Sequence, residues 1–211
     1  MNRLEIECLK VGLIATNCYL VRQSGSGFYA VIDPGDDASS IIDSLGLHPT
    51  HIILTHSHFD HIGALWTLHE KYPSAVIAAG SEEDFSQESI VRMARGTLGF
   101  FYAATGLAKC GSKVPEPTLL LKDGDRIGPF EVLHTPGHTK GSICLYSREN
   151  KVLFSGDTLF RHSYGRTDLG GSETQIMESL RRLLQLEGDT TVYPGHDEPT
   201  LISDEKSFFK L

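Results

Sequence analysis

Four side chains that could bind a metal ion lie within six residues of one another, in the run THSHFDH at residues 55–61. His56, His58, Asp60 and His61 directly follow HIIL at residues 51–54, a compact apolar run typical of a buried strand. In a strand or extended loop, His56, His58 and Asp60 would project to one side, because successive side chains alternate. Imidazole and carboxylate are usual ligands for zinc, iron or manganese, whereas calcium prefers oxygen ligands alone. The spacing therefore favours a metal site over a solvated surface loop.

Three further segments have the same construction, a short apolar run that stops at a ligand-type residue. VLHTPGH ends at His138, LFSGD at Asp157 and VYPGH at His196. A glycine before each of these residues permits close approach of the backbone. Each segment alone is more typical of a hydrogen-bonded loop histidine or turn aspartate. Together with the first cluster, they place candidate ligands at four strand ends, where a site in a sandwich would gather them.

The elements that must position these residues are predicted as strands followed by a helix, twice over. This succession favours two β-sheets packed face to face with helices outside, and without a linker we expect a single domain over residues 1–211. The segment 100–117 is interpreted as an oligomer contact or simple packing, with a flap over the site as the alternative. Strands are expected at 4–8, 17–21, 28–32, 51–54, 75–79, 118–121, 126–133, 142–146, 151–155 and 191–193, and helices at 38–45, 63–72, 82–102 and 173–186.

The bulk composition argues against several classes of function. A formal net charge of -8 disfavours a nucleic-acid-binding surface. The four cysteines form no C-x-x-C pair and are interpreted as small buried side chains in a reducing compartment. The N-terminus lacks the apolar core of a signal peptide, and no apolar run approaches the roughly 20 residues of a membrane span. We therefore expect a cytoplasmic protein without nucleic-acid or membrane partners, and the sequence leaves its oligomeric state open.

The pattern H-x-H-x-D-H, followed by His, Asp and His, resembles the signature of the metallo-β-lactamase superfamily over almost the whole chain. The resemblance implies an α/β fold, a four-layer αβ/βα sandwich with the site at one edge. It also implies two divalent metal ions, with zinc expected first and iron or manganese as alternatives. Asp33, in VIDPG, matches the leading aspartate that braces the metal loop. The seven implied metal ligands are His56, His58, Asp60, His61, His138, Asp157 and His196.

The resemblance also implies how the ligands divide and what they do. Asp157 would bridge two ions, which at about 3.5–4 Å apart lower the pKa of a shared water toward roughly 7. One ion can then polarise a substrate carbonyl while the other stabilises the leaving group. Asp60 and Asp157 are candidate catalytic residues that steer the proton of the attacking water. The first ion would take three histidines, and the second two histidines and an aspartate: His56, His58 and His138, then Asp60, His61 and His196.

Within the superfamily, GDTLF at residues 156–160 and GRTDL at 165–169 resemble the glyoxalase II group, which hydrolyses S-acyl-glutathione thioesters such as S-lactoylglutathione. Arg166 aligns with a basic residue that contacts glutathione in the longer enzymes. An equally good interpretation is that Arg166 pairs with Asp168 to order the loop. Fifteen residues follow His196 (211 − 196), too few for the helical C-terminal domain of the longer enzymes. The chain therefore resembles the short bacterial-type hydrolases, in which another thiol or acyl group could be preferred.

Other activities on the same fold remain open at this point. A persulfide dioxygenase shares H-x-H-x-D-H and the GRTD loop but would use a single iron on His56, His138 and Asp157. Lactonases and β-lactamases share the fold too, although true β-lactamases are usually exported. A metal-free binding protein is a different class altogether, but such degenerate members normally lose ligands, and none is missing here.

Overall fold

The computed structural model describes residues 3–46, 48–86 and 114–210, which divide into two compact units. The first unit comprises the described residues of Met1–Ala79 and Asp84–Leu120. The second comprises Gly80–Glu83 and the described residues of Leu121–Leu211. Each unit contains most of one six-stranded sheet. A single domain therefore stays a prediction, and each unit is described by itself.

The first sheet is mixed, and three helices accompany it. Its strands are β1 (Leu4–Val11), β2 (Thr16–Gln23), β3 (Tyr29–Ile32), β4 (His51–Leu54), β5 (Val76–Gly80) and β6 (Leu119–Leu121), and the helices are α1 (Ala38–Leu45), α2 (Phe59–Ile62) and α3 (Leu65–Lys71). The order is β1-β2-β3-β4-β5-β6, with β1 to β3 antiparallel and β3 to β5 parallel. Strands β3 and β4 are almost wholly buried, which explains their continuous apolar runs. The HSHFDH cluster lies in the loop that follows β4 and in the first turn of α2.

The second sheet has one parallel pair, and this pair determines where three candidate ligands lie. Its strands are β7 (Arg126–Ile127), β8 (Phe130–His134), β9 (Ile143–Ser147), β10 (Val152–Gly156), β11 (Thr191–Pro194) and β12 (Thr200–Leu201), and its helices are α4 (Glu173–Leu183) and α5 (Ile202–Phe209). Strands β10 and β11 are parallel, whereas the other neighbours are antiparallel. The carboxyl ends of β8, β10 and β11 therefore meet at one edge of the sheet. His138, Asp157 and His196 all follow these ends.

Helix α4 crosses between the parallel strands and buries one face. Ile176, Leu180 and Leu183 are fully buried at helical spacing, as the amphipathic pattern predicts. Ser172 caps the helix by accepting a hydrogen bond from the backbone N–H of Gln175. The sequence prediction of this helix is confirmed, although it ends at Leu183 rather than 186.

Several element predictions are confirmed and some are wrong. The helix at 38–45 and the strand at 51–54 have the predicted bounds. The helix predicted at 63–72 is confirmed as the slightly shorter α3, whereas α2, which precedes it, was not predicted. The Ala64 N–H donates to the Pro34 carbonyl between these two helices. The strand predicted at 126–133 is the hairpin β7–β8, whose turn contains Gly128 at φ 53°.

The remaining differences lie in three segments. Residues 82–86 of the helix predicted at 82–102 are not helical, and the rest of that helix lies outside the described residues. Most of segment 100–117 also lies outside them, so neither interpretation of it is tested. Strand β12 and helix α5, at the C-terminal end, were not predicted. Among the described helices, none has the length and apolar character needed to cross a bilayer.

Candidate metal centre

In the first unit, the cluster after β4 brings its four ligand-type side chains together. A ligand atom of His56 lies within 4.8 Å of one on His58 and of one on His61, and the same limit holds between Asp60 and His61. The predicted alternation of side chains is wrong beyond His58, since α2 begins at Phe59. The His61 N–H donates to the His58 carbonyl at 2.9 Å, so Asp60 and His61 lie on a helical turn. The helical turn, not strand pleating, brings Asp60 beside His61.

Asp33 fixes the orientation of His61. The Asp33 carboxylate is buried. The backbone of Asp33 has φ 51°, a left-handed conformation that Asp tolerates better than most residues. Its Oδ2 accepts a hydrogen bond from His61 Nδ1 at 3.0 Å. His61 Nε2 then keeps its lone pair and lies 3.3 Å from Asp60 Oδ2. The predicted bracing contact between Asp33 and the metal loop is therefore present.

Thr55 links the Asp33 carboxylate to His56 by hydrogen bonds. The Thr55 backbone N–H and hydroxyl both donate to Asp33, each at 2.7 Å. Because the hydroxyl proton is used on the carboxylate, the hydroxyl oxygen accepts from His56 Nδ1, at 3.0 Å. This assigns the lone pair of His56 to Nε2. One buried carboxylate thus sets the tautomers of two histidines.

Asp60 is held by residues that the sequence analysis did not identify. Thr16, buried at the start of β2, donates its hydroxyl to Asp60 Oδ2 at 3.1 Å. Gly35 packs against the backbone of the same residue, and a Cβ on Gly35 would lie 1.9 Å from the Asp60 carbonyl oxygen. The sequence analysis singled out VIDPG for its aspartate, Asp33. The glycine of the same motif, Gly35, allows the backbone of Asp60 to approach this closely.

In the second unit, the Asp157 carboxylate lies between two imidazoles. Its Oδ2 is 3.5 Å from His138 Nε2 and 3.7 Å from His196 Nε2. His138 Nδ1 donates to the Arg166 carbonyl at 2.7 Å, which leaves the lone pair of His138 on Nε2, toward Asp157. Gly165 makes this possible, since a Cβ there would lie 2.0 Å from the Asp157 carbonyl oxygen and 2.9 Å from His138 Nδ1. His138, Asp157 and His196, which were predicted from separate motifs, therefore lie close to one another.

Arg166 makes the contact that the sequence analysis offered as the alternative. Its guanidinium donates two hydrogen bonds to the Asp168 carboxylate, both of 2.6 Å. Both side chains are at least half exposed. The backbone of Arg166 bonds His138 while its side chain remains at the surface, where a ligand could displace Asp168.

This ion pair yields a measurable titration. Hydrogen bonding to Arg166 lowers the pKa of Asp168 from its ordinary 3.8 to about 2. We expect the Asp168 carboxyl to titrate near that value in carbon-detected NMR, and nearer 3.8 in Arg166→Ala. The pair should therefore persist until the pH falls through the lowered pKa. A midpoint near 3.8 in the parent protein would contradict the bidentate geometry.

The donor chemistry of both units suits a divalent metal. The first unit offers His56 and His61 and the second offers His138, all buried imidazoles whose Nδ1 atoms are hydrogen-bonded elsewhere. Each unit adds a carboxylate oxygen, from Asp60 or Asp157. Metal-binding histidines usually donate their second ring nitrogen to a carboxylate, carbonyl or similar acceptor. Mixed nitrogen and oxygen donors suit zinc, iron or manganese better than calcium. The residues present therefore fit such ions.

The chain is similar to known proteins along most of its length. The sequence model of the metallo-β-lactamase superfamily matches residues 11–196. Hydroxyacylglutathione hydrolase GloC of Haemophilus influenzae is 33% identical over 96% of this chain and 95% of its own length. Among solved structures, BLEG-1 B3 metallo-β-lactamase is 33% identical with a TM-score of 0.82, covering 96% of this chain and 97% of that one.

Two further structures bear on the metal and on the reaction. TTHA1623 in a di-iron-bound form is 34% identical with a TM-score of 0.75, covering 96% of this chain and 98% of that one. ETHE1 from Myxococcus xanthus is 28% identical with a TM-score of 0.73, covering 97% of this chain and 82% of that one. The predicted fold class is confirmed by these similarities together with the two mixed sheets.

Proposed function

Because the chain belongs to the metallo-β-lactamase superfamily, we propose that this metal-binding hydrolase cleaves S-acyl thioesters of the S-lactoylglutathione class with two bound divalent ions. Zinc is proposed first, and iron is the main alternative because TTHA1623 is similar and is known in a di-iron form. Manganese is the third candidate. The proposed ligands are His56, His58 and His138 for one ion, Asp60, His61 and His196 for the other, and Asp157 for both.

The observation that carries this proposal is the position of the Asp157 carboxylate. One of its oxygens lies 3.5 Å from His138 Nε2 and 3.7 Å from His196 Nε2. A ligand shared by two ions must reach the neighbours of both, and this oxygen does so. In the first unit, His56 and His61 likewise have their Nδ1 atoms engaged through Thr55 and Asp33. Their Nε2 atoms are therefore the ones suited to bind ions.

The chain's own residues hold the imidazoles and handle the proton. When bound, divalent ions make a water molecule acidic enough to react at neutral pH and polarise the acyl carbonyl. Asp33 and Thr55 keep His56 and His61 in the tautomer that such ions require. Asp60 and Asp157 are the carboxylates proposed to steer the proton of the attacking water. Hydrolysis then gives a carboxylic acid and a free thiol.

The thioester class rests on the similarity to GloC and on Arg166. GloC is matched over nearly its whole length, so the short chain does not by itself argue against glutathione-type substrates. Arg166 is one of two exposed arginines on the segment that follows Asp157, the other being Arg161, and glutathione conjugates carry carboxylates. We propose that a substrate carboxylate competes with Asp168 for this guanidinium.

Replacement of Arg166 by alanine should weaken substrate binding and leave most of the turnover. We expect KM for S-lactoylglutathione to rise about fivefold, which corresponds to the roughly 1 kcal/mol of an exposed ion pair. The value of kcat should change little, because the His138 contact uses the Arg166 carbonyl and survives the substitution. Arg148→Ala, at an exposed arginine paired with Glu187, is the matched control. An unchanged KM would leave Arg166 with a structural role only.

A mononuclear iron persulfide dioxygenase is the second candidate, motivated by the shared motifs and the similarity to ETHE1. It would need only His56, His138 and Asp157. A lactonase on the same fold is the third. A cytoplasmic location and the absence of nucleic-acid and membrane partners remain predictions.

One experiment separates these candidates. A purified sample with measured metal content is assayed against S-lactoylglutathione, a lactone and glutathione persulfide, the last with an oxygen electrode. We expect two ions per chain and thioester hydrolysis as the fastest reaction. One iron per chain with oxygen uptake on the persulfide would refute the hydrolase proposal, and faster lactone opening would refute the thioester class.

A further inference from the structure

A fully buried glutamate lies outside the metal ligands. Glu205, on helix α5, has no exposed surface. Its Oε1 accepts a hydrogen bond from the Thr200 hydroxyl at 2.7 Å, and its Oε2 accepts one from the His162 backbone N–H at 2.9 Å. Burial of a carboxylate is costly unless it is well hydrogen-bonded, so such a group needs a structural or functional reason.

The partner of Glu205 is a strained turn. His162 has φ 59°, a conformation that non-glycine residues seldom adopt and that surrounding contacts must maintain. The turn is closed by paired backbone hydrogen bonds between Phe160 and Ser163. The His162 ring also stacks on Phe208, which lies three residues after Glu205 on α5. Helix α5 thus holds this turn at two points: Glu205 bonds the His162 backbone, and Phe208 stacks on the His162 ring.

The other end of the turn contacts a proposed metal ligand. The Phe160 ring packs edge-on against His196, with 5.9 Å between ring centroids. His196 Nε2 in turn lies 3.7 Å from Asp157 Oδ2. Asp157 begins the segment that leads into the same turn, and the N–H of Thr158 donates to the Ser155 carbonyl. A shift of the turn would therefore move the ring that limits the rotation of His196.

We propose that Glu205 is a positioning residue, which holds the Phe160–Ser163 turn through the His162 backbone and thereby fixes the orientation of His196. The importance of this orientation for metal binding rests on the proposed function. The geometric part of the proposal does not rest on that function, since all of the contacts lie within the second unit. Glu205 acts through other residues and does not itself contact a ligand of the metal.

The test reads His196 directly in metal-free protein labelled with carbon-13 histidine. In Glu205→Ala, we expect the His196 ring resonances to shift or broaden, and zinc affinity, measured by chelator competition, to fall about tenfold. Glu205→Gln keeps a side-chain oxygen for the His162 N–H and should remain close to the parent in both measurements. Asp204→Ala, at the exposed neighbour on α5, is the matched control.

Phe160→Ala keeps the test decisive if Glu205→Ala does not fold. It removes the packing ring and leaves the Glu205 contacts in place, so it should lower zinc affinity as Glu205→Ala does; zinc affinity is the readout for this variant, because loss of the Phe160 ring current shifts the His196 resonances by itself. Parent-like zinc affinity in Phe160→Ala, or parent-like His196 resonances in folded Glu205→Ala, would overturn the proposal. An equal loss in Glu205→Gln and Glu205→Ala would also overturn it, because the oxygen acceptor would then be irrelevant. A parent protein that binds no ion would refute the proposed function, while the ring resonances would still decide the positioning role.

Discussion

Asp157→Ala is expected to lower kcat/KM by at least about 10³-fold, roughly 4 kcal/mol of transition-state stabilisation, and to reduce the bound metal by at least one ion per chain. The side chain places one oxygen near both His138 and His196, so its removal takes a shared carboxylate from both. It also removes negative charge that lessens the repulsion between two closely spaced cations. Metal content by elemental analysis and turnover of S-lactoylglutathione are measured on the same preparation.

The matched control is Asp189→Ala, which deletes an exposed carboxylate paired with Lys151 in the same unit. It should retain metal and activity, since surface ion pairs contribute little. Asp157→Asn keeps the shape and one oxygen but not the charge, and we expect it to fall between the parent and Asp157→Ala. If Asp157→Ala kept two ions and parent-like turnover, the shared-ligand role would be wrong.

The candidate ligands could be found from the sequence because each lies in the segment that follows an apolar strand. Strands β4, β8, β10 and β11 have short, buried, recognisable patterns, and the segments after them carry the ligand-type residues. The strand alternation argument failed at Asp60, because the chain turns into a helix at Phe59. Local pattern thus indicated the candidate residues but not the backbone geometry of the segment after β4.

The supporting contacts were missed because they join residues far apart in sequence. Thr16 bonds Asp60 across 44 positions, and the His162 backbone bonds Glu205 across 43. Neither pair forms a motif, and Thr or Glu at such positions is ordinary on a surface. Helix α5 was missed because its hydrophobic periodicity is weak: its buried face combines Ile202 with the carboxylate of Glu205.

Asp33 is the remaining position at which a single change should have a large effect. Asp33→Ala removes the acceptor of the His61 Nδ1 proton and of both Thr55 donors. Loss of a group that orients metal-binding histidines typically lowers metal affinity about 10–100-fold. We expect a loss of that size for zinc, measured by chelator competition. The alanine would also be strained at φ 51°, so a reduced free energy of unfolding is expected as well.

Asp33→Asn separates the two effects. Asparagine tolerates the left-handed backbone and retains one oxygen for the Thr55 N–H, so the free energy of unfolding should fall less than in Asp33→Ala. Its amide nitrogen cannot accept the His61 proton, which moves to Nε2, the atom that should carry a lone pair toward the ion. We therefore expect a smaller loss of unfolding free energy than in Asp33→Ala but weakened metal binding, with the changed tautomer visible in nitrogen-15 spectra of the histidine rings. Parent-like zinc affinity in Asp33→Asn would show that His61 is oriented by its packing alone. The hydrogen bond to Asp33 would then be incidental to metal binding.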